Sequence, residues 1–175
     1  MKGLTKLGGT AFAIAAAVIV ADQAVKFWIL SILHLQEGQS LPFFGPIHLT
    51  GVWNHGVSFG FLQAQVDVVR WLLALFSVIV AVMLAGWVRT TERPLFATAV
   101  GLVMGGALGN AIDRVRFGAV ADFIDASQLY FRWIFNVADS AITVGICLLL
   151  LDMLIQDNRE RAAKASAPGV GGDAA

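Results

Sequence analysis

Apolar positions fall into four long blocks separated by polar stretches. The first runs from about residue 11 to 33 and is interrupted only by Asp22, Gln23 and Lys26. Residues 71–88 and 95–112 carry no charge, and 133–155 holds only Asp139 and Asp152. A helix rises 1.5 Å per residue, so ~20 apolar residues cross a hydrocarbon core of ~30 Å. The pattern predicts four transmembrane helices at about 11–33, 68–88, 95–112 and 133–155. Lys2 and Lys6 ahead of the first block imitate a signal peptide, but the block continues past Ala15–Ala17, well beyond an apolar region of ~7–15 residues.

Four spans put both ends of the chain on one side. That side collects seven basic residues (Lys2, Lys6, Arg89, Arg93, Arg159, Arg161, Lys164) against five on the other (Lys26, Arg70, Arg114, Arg116, Arg132), which predicts cytoplasmic termini. The polar loop 89–94 makes the second and third spans an antiparallel pair. Two larger segments, 34–66 and 113–132, then lie outside. Residues 47–53 alternate apolar with small or polar positions, as a short strand does, and a small extracytoplasmic sheet is expected there. Trp28, Trp53, Trp71 and Trp133 fall near the outer boundary, where indole rings favour the headgroup level. Residues 1–158 read as one integral membrane domain and 159–175, without apolar periodicity, as a disordered cytoplasmic tail.

Composition agrees. The 175 residues are 58% hydrophobic and 14% charged, against about 25% charged in soluble domains. The fold class expected is an all-α membrane protein with a small sheet. Zero formal net charge gives no nucleic-acid footprint. The single cysteine, Cys147, excludes an intrachain disulfide and reads as an inert packing thiol, and no zinc-ligand spacing occurs. Asp152 is expected to reach the cytoplasmic interface.

The informative positions are ionisable groups within apolar segments, each costing about 2.5–3.5 kcal/mol at a helix centre. Asp22 and Lys26, four apart, can pair on one helix face. Gly101, Gly105 and Gly109 form a flat stripe for close helix approach, and Asn110, Asp113 and Arg114 follow on one face. Asn136, Asp139, Ser140 and Thr143 make a polar stripe on the fourth span, with Asp139 expected four to six residues inside the helix. Its partner must come from another segment. Residues 120–125 offer Asp122 and Asp125, which alternation places on opposite faces of an extended segment. Two carboxylates in one poorly solvated site share a proton, and such a pair serves as general base toward water and general acid toward a leaving amine. Residue pattern alone leaves Asp122 and Asp125 both open.

Five motifs in order then resemble the bacterial lipoprotein signal peptidases (signal peptidase II). They are Asp22-Gln23-x-x-Lys26, Trp53-Asn54-x-Gly56-x-x-Phe59-Gly60, Gly105-Gly106-Ala107-Leu108-Gly109-Asn110-x-Ile112-Asp113-Arg114, Val120-x-Asp122-Phe123-x-Asp125, and Phe135-Asn136-Val137-Ala138-Asp139-Ser140. The resemblance implies an intramembrane aspartyl endopeptidase without metal or cofactor, whose sheet cradles a diacylglyceryl-modified prolipoprotein cut just before the lipidated cysteine. By the same resemblance the catalytic pair maps onto Asp122 and Asp139. Asp22, Lys26, Asn54, Gly56, Asn110, Asp113, Arg114 and Asn136 match positions that line or support the site. His55 and Ser58 depart from the residues expected in the outer loop. An inner-membrane location among membrane lipids and inhibition by globomycin are also implied, and four helices enclosing a laterally open site are expected to work as a monomer. A proton-coupled carrier is disfavoured because the charges cluster at the outer ends and do not continue through the second and third spans; a purely structural role for the polar groups predicts that Asn at Asp139 is tolerated.

Overall fold

The four apolar blocks form four helices long and apolar enough to span a bilayer, in a computed structural model that describes residues 3–56, 66–129 and 133–166. Helix α1 is Lys6–Phe27 and continues through a wider π-type turn, Trp28–Ile32, in which Leu33 N–H donates to Trp28 C=O at 2.8 Å. Helices α2, α3 and α4 are Val66–Val88, Pro94–Phe117 and Val137–Ser166. Helix α3 is central: 72% of its apolar stretch is buried in protein, against 11% for α2, so α2 turns most of its surface to lipid.

Small residues permit this arrangement. Gly101 faces Ala11 and Ile14, Gly105 faces Ala15 and Val18, and Gly109 faces the Asp22 carboxylate, so the glycine stripe of α3 seats α1. Gly106 lies against Ala138 and Ile142 of α4. Without a hydrophobic force between helices in lipid, such close approach supplies the packing energy.

The two longer segments between helices form a four-stranded antiparallel sheet in the order β1-β2-β3-β4, comprising Ser40–Phe44, Ile47–Asn54, Val120–Asp125 and Ile134–Phe135. The strand expected at 47–53 is β2. Ile29, Leu35, Leu49 and Phe123 bury together and fix the sheet to the end of α1.

Several boundaries differ from the sequence reading. Helix α3 does not stop at residue 112 but runs to Phe117, so Asp113 and Arg114 are helical; Gly118, left-handed at φ 83°, ends it. The fourth helix starts at Val137, because Ile134 and Phe135 pair with β3 instead. It also continues through 159–166, the first part of the expected tail, where good helix formers and an Asp157–Arg161 ion pair one turn apart at 2.9 Å extend it; residues 167–175 lie outside the described residues. Cys147 is exposed on the lipid-facing side of α4 rather than packed. Asp152 is buried and ion-paired with Arg93 from the loop before α3, a partner that the sequence reading did not foresee.

Candidate active site

Where α3 ends and α4 begins, both meet β3, and the polar residues converge there. On β3, Asp122 is buried opposite Val52 of β2. Asn54, two residues further along β2, is its diagonal neighbour on the same face. The Asn54 Nδ2 donates to Asp122 Oδ2 at 3.1 Å, while Asn54 Oδ1 accepts the Gly56 N–H at 2.8 Å. Gly56 has φ 76°, a conformation that favours glycine, and this turn holds the Asn54 amide in place.

Asp139 is not deep within α4. It is the third helical residue, and Asn136 is the N-cap. Asn136 Oδ1 accepts the Asp139 N–H at 2.8 Å, and Asp139 Oδ2 accepts the Asn136 N–H at 3.3 Å. This reciprocal pair is a capping box, which satisfies two of the free amides at a helix start. The hydropathy of 133–135 concealed it, since strand and helix there are equally apolar. Asp139 Oδ1 also accepts from Asn110 Nδ2 of α3 at 2.7 Å.

Asn136 then joins the two carboxylates. Its Nδ2 donates to Asp122 Oδ1 at 2.7 Å and to Asn110 Oδ1 at 3.2 Å. Asp122 and Asp139 line one cavity of about 550 Å³, together with Asn54, Trp133, Phe135 and the exposed Val144. Asp125 is elsewhere. It accepts from Thr50 Oγ1 at 2.7 Å and from the Ser127 N–H at 2.9 Å, and hydrogen bonds led by Ser127 and then Thr50 hold its carboxyl below the usual range. Asp122 shows the opposite: burial first, then the charge of Asp139, pushes its carboxyl up to about 6 against the bonds from Asn54 and Asn136.

Behind the cavity lies a fully buried ionic hub. Lys26 Nζ contacts Asp22 Oδ2 at 2.8 Å and Asp113 Oδ2 at 2.6 Å, with Asn110 Oδ1 at 3.4 Å. Each carboxylate also binds backbone next to a cavity residue: Asp22 Oδ1 accepts the Ala138 N–H at 3.0 Å, and Asp113 Oδ2 the Ala121 N–H at 3.2 Å. The hub therefore fixes the residues beside Asp139 and Asp122. Gln23, which sequence reasoning gave no role, donates to Asp113 Oδ1 at 2.8 Å; only its place within the Asp22–Lys26 motif signalled this. Arg114 donates to the Asn110 C=O at 3.3 Å and lies within electrostatic reach of Asp139, Asp113 and Asp122. Phe59, Gly60 and Ser58 lie outside the described residues.

Fold and site together define a multi-pass membrane protein with a carboxylate-lined cavity at one end of its bundle. Comparison with known proteins narrows this class. The profile of the family described as Signal peptidase (SPase) II matches residues 14–155. A lipoprotein signal peptidase of Caulobacter vibrioides is 52% identical over 158 residues, covering 90% of this chain and 94% of the relative. One from a Methylobacterium species is 39% identical over 152 residues, covering 86% and 92%. A bacterial membrane enzyme structure solved by the in meso method at 2.3 Å resolution superposes with a TM-score of 0.74 at 29% identity, covering 91% of this chain and 95% of the other. The chain belongs to the signal peptidase II family and is a membrane protease.

Proposed function

We propose that this enzyme removes the signal peptide from diacylglyceryl-modified prolipoproteins by cutting before the lipidated cysteine, with Asp122 and Asp139 as its catalytic pair. The observation that carries this is their joint exposure to one cavity while Asn136 and Asn110 bridge them. The raised Asp122 carboxyl supports it as the member that carries the shared proton and polarises the scissile carbonyl. Asp139, whose carboxylate accepts from Asn110 Nδ2 and from the Asn136 N–H of its own cap, is the base that takes the proton of the attacking water. That proton then passes to the leaving amine. Asn54 and Arg114 sit where they can hold the peptide backbone or stabilise oxyanion charge.

The exposed Val144 below the carboxylates leaves a lateral way in from lipid, so the acyl chains stay in the bilayer while the scissile bond reaches the polar end. The basic-residue bias supports an inner-membrane orientation with cytoplasmic termini and the cavity at the outer face. The enzyme works as a monomer among membrane lipids in this reading, and the family resemblance supports inhibition by globomycin. The test is to replace Asp122 and Asp139 by Asn, separately, and assay cleavage of a lipidated preprolipoprotein. Loss of cleavage in folded protein is expected for both. Retained cleavage in folded Asp139→Asn overturns the assignment.

A further inference from the structure

A second concavity lies away from the carboxylates. Ile19 of α1, Trp71, Leu75 and Val78 of α2, and Leu108 and Ile112 of α3 line an apolar groove of about 530 Å³. Positions 108 and 112 lie on a different face of α3 from Asn110 and Arg114, so this groove is separate from the cavity of Asp122 and Asp139. Arg116 stands at its outer end and also borders a smaller, mixed recess of about 120 Å³ lined by Gln23, Lys26 and Ser31 together with Phe27, Leu30 and Phe117. Ile19 and Gln23 are one turn apart on α1, so recess and groove run on from one another along the bundle.

The groove has the order of a lipid: the Arg116 guanidinium outward, an apolar slot inward. Trp71 to Val78 spans seven residues, about 10 Å at 1.5 Å per residue, most of one leaflet's hydrocarbon depth. Arg116 is exposed, and its described partners are the neutral Gln23 Oε1 at 3.1 Å and the face of Phe117 at 4.8 Å. Among the described residues it has no carboxylate partner, unlike Lys26, whose charge the hub consumes. A guanidinium with free donors above an apolar slot is complementary to a phosphodiester carrying an acyl chain.

We propose that this groove is a specific site for an anionic glycerophospholipid of the outer leaflet, its phosphate on Arg116 and one acyl chain between α1 and α2. The bound lipid fills the gap that these two helices leave over α3.

Native mass spectrometry of the full chain, released from detergent with added phosphatidylglycerol, tests it. Wild type retains one lipid under activation that strips the rest. Losing a charge-assisted contact to phosphate in Arg116→Gln lowers that retention by roughly tenfold. Arg116→Lys restores most of it, and Arg159→Gln at the other end of the bundle leaves it unchanged. Equal retention in Arg116→Gln, or equal loss in Arg159→Gln, shows annular lipid only and overturns the site. A second readout fixes the occupant: benzoylphenylalanine in place of Leu75, photolysed in membranes, gives an adduct of phospholipid mass that diminishes with Arg116→Gln. An adduct with substrate peptide or with a second copy of the chain overturns the proposal.

Discussion

Asn136 touches Asp122 with its amide nitrogen at 2.7 Å and caps the helix of Asp139 with its amide oxygen at 2.8 Å. One planar group thus sets the separation of two carboxylates on different elements. The two jobs can be divided by substitution. Asn136→Ser keeps an N-cap acceptor but loses the donor to Asp122, whereas Asn136→Ala loses both, at about 1 kcal/mol for the cap. Asn136→Ser is expected to hold its Tm near wild type yet lose roughly tenfold to a hundredfold in kcat/KM, about the value of a hydrogen bond to a charged group. Thermal unfolding in detergent alongside peptide cleavage checks the split.

The pH profile follows from Asp122. If the reactive form of the pair holds one proton, kcat/KM falls on the alkaline side as that proton leaves, with an apparent pKa near the value of about 6 set by burial and Asp139. This value belongs to the pair as titrated in free enzyme. Asn54 donates to the ionised form and so lowers it. Asn54→Ala removes that donor, the carboxyl titrates higher, and the alkaline limb moves to higher pH. A limb that moves to lower pH, or stays fixed, contradicts the assignment of the proton to Asp122.

The hub makes an ordering of stabilities. Lys26 lies between two buried aspartates at 2.8 and 2.6 Å. Lys26→Met leaves both charges without their cation, and breaking a buried pair costs about 3–5 kcal/mol. Asp113→Asn leaves Asp22 and Lys26 as a neutral pair and costs less. Activity is expected to fall as well, because the amide offers one acceptor oxygen where Asp113 uses two, Oδ1 for Gln23 and Oδ2 for Lys26 and the Ala121 N–H beside Asp122. The expected Tm order is wild type, then Asp113→Asn, then Lys26→Met, read by unfolding of the detergent-solubilised protein.

How far the sequence carried the reading varies with the range of the interaction. The Asp22–Lys26 pair was legible because four residues is one helical turn, but Asp113 as second partner lies 87 positions away from Lys26 and left no periodic trace. Alternation separated Asp122 from Asp125 without saying which face meets the bundle; that depends on the pairing of Val52 with Asp122. Hydropathy marked the fourth span and misplaced its start, because Ile134 and Phe135 remain apolar while the backbone is still extended. It also left Asp152 without a partner, since nothing local reveals that Arg93 folds across to meet it.

The glycine stripe gives a prediction about the scaffold that is independent of any charge. A Cβ at Gly105 would lie 2.6 Å from Val18 Cβ and 2.8 Å from the Ala15 carbonyl oxygen, so α1 and α3 must move apart to admit it. At Gly86 of α2 nothing lies within 4 Å of the same atom. Overpacking typically costs about 1–3 kcal/mol, whereas glycine to alanine on an open helix face gains up to about 1 kcal/mol. Gly105→Ala should therefore lower the Tm and Gly86→Ala leave it unchanged or raise it. Since α1 carries Asp22 and Lys26 and α3 carries Asp113, separating them also loosens the hub. Gly105→Ala should then lose cleavage at temperatures where it is still folded, while Gly86→Ala keeps it; equal behaviour of the two variants would show that close α1–α3 approach is not what positions the carboxylates.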